Sequence, residues 1–258
     1  MAGLGMKALI LKKYRIVLNV LVVTAVIIGF RQLIINTTDV TITPSSLFAS
    51  AVGGVIFLIA FMLSGTVSDY KESEKLPGEV AAYLENIHDE GRYAKSLNPD
   101  FKLDKLDARL LQIIDELKAD LLSDKITKKS IGTVAQLTDT SLEMEALKIP
   151  AGYISRVKAD RDNTRKTILR MYQIKSTSFL PTAAAILEIL TFAVVGALMV
   201  VKLDKTLESI MLPGVTMFFI MYMVAFVKDL DDPFAGNVAV DMFLLDDLKG
   251  KLQKPSGA

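Results

Sequence analysis

The chain contains no cysteine and a single histidine in 258 residues. Without thiols there are no disulfides, no thiolate metal sites and no cysteine nucleophile. The one histidine, His88, lies in the polar stretch Asn86-Ile87-His88-Asp89-Glu90 and is expected on a solvated helix face. No glycine-rich phosphate loop, nucleophile elbow or zinc-ligand spacing occurs. An enzyme is therefore not expected. Charge of one sign is also missing: the net is +1, so no nucleic-acid partner held by bulk electrostatics is expected. The first apolar run is too long for a signal peptide and lacks a small-residue cleavage pattern. Strand signals are nearly absent, and the β-branched Val40-Thr41-Ile42-Thr43 reads as loop.

What the chain does have is four long apolar runs: residues 14–35, 44–67, 178–201 and 211–227. Each is close to the ~20 residues that carry a helix across a ~30 Å hydrocarbon core. Short gaps within each pair make two transmembrane hairpins, 14–67 and 178–228, separated by a charged segment, 68–177. Residues are 51% hydrophobic yet 23% charged, because the two kinds are segregated along the chain. This predicts an all-α, multi-pass protein of the cell membrane.

Orientation follows from the basic residues. Lys7, Lys12, Lys13 and Arg15 precede the first span, while the loop 36–46 has neither Lys nor Arg. The central segment is rich in both. The positive-inside bias then places both termini, the segment 68–177 and a C-terminal segment 229–258 in the cytoplasm. The end of the chain from Lys251 is expected to be disordered.

The charged segment reads as helical. Leu103, Leu106, Leu110, Ile113, Leu117 and Leu121 recur at spacings of three and four, which makes one apolar helix face. Asn98-Pro99-Asp100 precedes that helix, with Asp100 as its expected cap. Further helices are expected over 79–97, over 128–147 and from Pro150 through Arg170. The second span has no stop signal at its end, so it should run on until Pro77 kinks or restarts the helix.

Three constellations carry possible chemistry. Glu188 lies ten residues beyond Ser178, about 15 Å deep in a straight helix, and Arg31 lies nearer the outer end of the first span. Charges so placed face a neighbour or water: Glu188 bonds within the bundle, pairs with Arg31, or belongs to an ion pathway. In the second span Gly53, Phe57, Phe61 and Gly65 follow four-residue spacing, two rings on one face between small residues. That face reads either as a packing or lipid surface, or as a hydrophobic constriction that gates by dewetting. The adjacent Gly53-Gly54 would suit close helix approach. After the fourth span, Asp229, Asp231 and Asp232 are either oxygen ligands for a hard cation such as Ca2+ or solvated charges, with Pro233 stopping the helix.

Asp229-Leu230-Asp231-Asp232-Pro233-Phe234-Ala235-Gly236, with the apolar and acidic stretch 238–248, resembles the segment after the last membrane helix of bestrophin-like proteins. Glu72-Ser73-Glu74-Lys75-Leu76-Pro77-Gly78 is similar to the bestrophin Glu-Ala-Arg-Lys-Leu-Trp-Gly stretch, with Glu74 in place of Arg and Pro77 in place of Trp. Arg161 and Arg165 followed by Pro181 resemble a prokaryotic, uncharacterised bestrophin-like group. The resemblance implies a pentameric homo-oligomer that conducts inorganic ions across the lipid bilayer through a neck lined by the second helices. In animal members it also implies a calcium clasp, but their acidic run follows Pro-Phe-Gly, whereas here it precedes it. The alternative is a non-conducting membrane scaffold that binds partners through its helical segment.

Overall fold

The computed structural model describes residues 2–38, 41–123, 125–177, 181–203 and 206–254. The helices are α1 (Ala2–Thr37), α2 (Ser46–Ser73), α3 (Leu76–Leu97), α4 (Leu103–Leu122), α5 (Lys129–Ala146), α6 (Ala151–Ser176), α7 (Pro181–Val200), α8 (Thr206–Leu230) and α9 (Phe243–Leu252). Packing divides the chain into two units. One comprises 1–69 with 178–238, the other 70–177 with 239–258.

The first unit contains four helices long and apolar enough to cross a membrane. Their residues allow helix everywhere, and even Pro213 sits inside α8 without ending it. Two boundaries differ from the sequence expectation. α1 already begins at Ala2, so Lys7, Lys12, Lys13 and Arg15 lie within the helix and not ahead of it. α8 begins at Thr206, five residues before the apolar run, because polar residues such as Glu208 suit a first helical turn.

Helices α1, α7 and α8 pack on one another. The closest approach is at Gly214 of α8, where an added Cβ would lie 2.7 Å from Ile28 Cδ1. Gly53 and Gly54 do not play this part, since nothing lies within 4 Å of a Cβ built on either. Val55, Ile59 and Met62 of α2 join Leu187, Val194, Leu198, Met217, Ile220 and Val227 in one apolar core. Beyond α1 the segment expected as loop makes an isolated parallel bridge. Ile42 N donates to Val200 O at 2.9 Å and Lys202 N donates to Ile42 O at 3.1 Å; Val40 lies outside the described residues.

The second unit is a bundle in which α6 packs on α3 and α5, α4 on α5, and α9 on α3 and α4. The apolar stripe of α4 is its centre: Leu106, Leu110, Ile113, Leu117 and Leu121 are fully buried or nearly so. Pro77 stands in the first turn of α3, where its missing N–H has no intrahelical partner to lose, so it restarts the helix after the turn at Glu74 and Lys75. Asp100 is not the cap of α4. Its N–H instead donates to Asn98 Oδ1 at 3.0 Å, and the N-cap position falls to Lys102. Lys251 and Leu252, expected in a disordered end, belong to α9, and residues 255–258 of that expectation lie outside the described residues. Lys249 and Lys251 of α9 pair with Asp115 and Glu85, and Lys118 of α4 pairs with Asp246.

Candidate functional site

Within the apolar unit α2 has two unlike faces. Val55, Ile59, Met62 and Thr66 are buried. On the other side run Ser50, Gly53, Phe57, Phe61, Ser64 and Ser68, all exposed, at spacings of three and four that form one continuous row. Phe57 is 74% exposed and Phe61 54%, while Gly65 at the edge of the row is half-buried. The exposed face of α1 carries Leu18, Leu21, Val22, Val26, Phe30 and Leu33 between Tyr14 and Thr37 at its ends. Side chains of that sort suit lipid. The α2 row puts hydroxyls at both ends and two phenyl rings between them.

Arg31 and Glu188 do not meet. Arg31, 1% exposed, donates from Nε to Leu198 O at 3.1 Å, from Nη2 to Val201 O, and more distantly from Nη2 to Ser209 Oγ at 3.4 Å. It therefore caps the end of α7, whose last carbonyls have no intrahelical donor and carry the negative end of the helix dipole. Glu188 bonds Lys228 of α8 at 2.7 Å, both side chains being partly exposed. The reason is helical rise. α7 begins at Pro181, which puts Glu188 only about 10 Å along it, and the residues Arg31 touches lie ten or more positions further on.

Asp229 lies in the last turn of α8, and Asp231 and Asp232 follow it. Asp229 Oδ1 accepts from Asn237 N at 2.8 Å and Asn237 Nδ2 at 2.7 Å, and its Oδ2 accepts from Val238 N at 3.2 Å. Asp232 Oδ1 accepts from Ala235 N at 3.2 Å, and its carbonyl accepts from Gly236 N at 3.0 Å. Phe234 is buried. Gly236 is required by close approach: a Cβ there would lie 2.6 Å from Asp229 O and 3.0 Å from Asp232 O. Asp229 and Asp232 thus close this loop. Among the described residues no three His, Asp or Glu side chains are grouped as a metal ion would need.

In the helical unit His88 is not on a solvated face. Its Nδ1 lies 2.7 Å from Oδ1 of the buried Asp107. A second polar centre, invisible in the sequence, surrounds Asp120. Its carboxylate accepts from Thr127 N and Oγ1 at 2.9 and 2.7 Å, from Lys128 N at 2.8 Å and from Tyr172 OH at 2.8 Å. Burial alone would raise the carboxyl pKa, but the bonds from Thr127, Tyr172 and Lys128 together hold it below the usual range. Tyr172, also bonded to Ser130 at 2.7 Å, is pushed well above its ordinary value, chiefly by burial. These contacts join α4, α5 and α6 around the turn at Lys128, which has a positive φ of 59°.

No family model and no curated protein matches the chain. Solved structures do. A bacterial bestrophin homologue from Klebsiella pneumoniae, in a point-mutant form, superposes with a TM-score of 0.72 at 14% identity, over 96% of this chain and 100% of its own. The chain has the bestrophin fold. Another mutant form of the Klebsiella bestrophin homologue gives 0.69 at 15% identity, over 95% and 98% of the two chains. A protein described only as a membrane protein gives 0.71 at 15%, over 96% and 99%. The bestrophin likeness therefore covers both units. At the place of the calcium clasp implied by the resemblance to animal bestrophins, Asp229 and Asp232 accept from backbone and Asn donors of their own loop.

Proposed function

We propose that the chain is the subunit of a homo-oligomeric ion channel, a pentamer, whose neck is lined by α2. The observation that carries this reading is the row Ser50, Gly53, Phe57, Phe61, Ser64 and Ser68. It is exposed in the subunit and sets two phenyl rings between Ser50 and Gly53 on one side and Ser64 and Ser68 on the other. Copies arranged about an axis with this row inward place serines at the two mouths and a collar of phenyl rings between them. Phenyl groups offer an ion no ligand to replace its hydration shell, so the collar limits flow by dewetting and not by binding.

A path through one subunit is disfavoured by its core, where Met217 and Ile220 of α8 are fully buried against α2 and α7. Conduction then requires assembly, and a ring with closed symmetry supplies it. The helical unit lies on the cytoplasmic side by the distribution of Lys and Arg, and Glu188 with Lys228 is a packing pair that holds α7 to α8. Purified protein in planar bilayers should give discrete current steps. A protein that assembles in detergent yet passes no current in chloride or potassium salts would leave the scaffold reading in its place.

A further inference from the structure

The helical unit has a cleft of about 800 Å³ between the start of α3 and the second half of α6. Its volume falls in the range of small-molecule sites. Arg170 on its wall is held by Glu72, with Nε and Nη2 at 2.7 and 2.6 Å from the two carboxylate oxygens. Asp162 is held by Arg161 at 2.8 Å. Three cations on the same walls, Lys75, Arg165 and Lys166, have no hydrogen-bond or ion-pair partner among the described residues. Glu79 is the one lining carboxylate in the same condition. The lining therefore carries four cations against three carboxylates, a net charge of +1, on elements joined by the α3–α6 packing.

We infer that this cleft binds a phosphate-bearing anion, with Lys75, Arg165 and Lys166 as its charge partners. A monatomic ion would leave most of the volume empty. A phosphate group presents several charged oxygens in different directions, which suits three cations arriving from two helices, and an Arg fork in particular. Thr167 and Gln173 add a hydroxyl and an amide to the same walls. The phosphate has two possible sources. Lys75 follows the last residue of the apolar run, Val67, by eight positions in the sequence, so a lipid headgroup is one source. A free phosphoanion from solution would use the same charges. The inference rests on the helical unit alone and holds whether or not the α2 row conducts.

The test uses the full-length protein, first in detergent and then in nanodiscs of phosphatidylcholine with or without phosphatidic acid. Pyrophosphate is titrated at constant ionic strength set with sodium chloride, and phosphatidic acid retained on the protein is measured by native mass spectrometry. Saturable pyrophosphate binding identifies a free anion as the ligand, and selective retention of phosphatidic acid identifies the headgroup. Whichever is seen, K75Q/R165Q/K166Q should weaken it at least tenfold, and Glu79→Gln should tighten it several-fold by removing the opposing charge. Arg165→Gln alone should weaken it and decides the matter if the triple variant does not elute as the wild type. Neither probe binding, binding unchanged in Arg165→Gln, or weaker binding in Glu79→Gln would overturn the inference.

Discussion

Arg31 and Asp120 each sit buried at the meeting point of several helices, and each satisfies groups that have no other donor or acceptor. Arg31 serves the final carbonyls of α7 from α1. Replacing it by Met should leave buried carbonyls unpaired and lower stability by about 2–4 kcal/mol. Lys has one ammonium and no fork, so Arg31→Lys should recover only part of the loss. A thermal midpoint for Arg31→Lys equal to the wild type would show that the fork is not needed. For Asp120 the sign of the pH effect follows from its depressed pKa. The group stabilises the native state fully above the unfolded carboxylate value near 3.9, and that contribution is lost as pH falls through the lower native value. Asp120→Asn should therefore cost about 2–3 kcal/mol at pH 7, because its amide turns a donor toward other donors. The cost should shrink below about pH 4. Helical circular dichroism followed through thermal melts at pH 7 and pH 3 would check this, and a cost that does not depend on pH would refute it.

At the scale of elements, periodicity and composition made most helices legible. The leucine stripe of α4 needs only its own spacing to predict a buried face, and the face is buried. The partners of isolated polar residues were not legible, because they come from distant parts of the chain: Glu188 finds Lys228, and Asp120 finds Tyr172. The loop after α8 shows the same limit. Three carboxylates near one another in sequence suggest a cation, but the backbone N–H groups that reach two of them, Asp229 and Asp232, come from residues 235–238 and could not be read from the sequence. Gly236→Ala should displace that turn and destabilise the protein by about 1–3 kcal/mol, since the atoms it meets are backbone and cannot swing aside. Gly53→Ala, in open space, should cost little in the isolated subunit and adds the helix preference of alanine. Comparing the two thermal midpoints tests the distinction, and equal losses would contradict it. The α2 row was half legible. Its rings and glycines stood out by spacing, whereas Ser50, Ser64 and Ser68 became a signal only once the buried side of the helix was known.

For the whole molecule, the proposal joins topology, assembly and the α2 neck. Because the chain has no cysteine, single cysteines at Thr38 and Lys118 report sidedness without background. An impermeant thiol reagent applied to sealed cells should label Thr38→Cys and spare Lys118→Cys; labelling of both would contradict a cytoplasmic helical unit. The most direct measurement is the single-channel current of the Phe57→Ala/Phe61→Ala protein in planar bilayers, beside the wild type and Glu188→Gln. With the rings gone the neck should widen and wet, so conductance or open probability should rise, with a smaller change in ion selectivity and a smaller effect from Glu188→Gln. A double variant that assembles as the wild type does and carries the same current would contradict an α2 row that lines the neck.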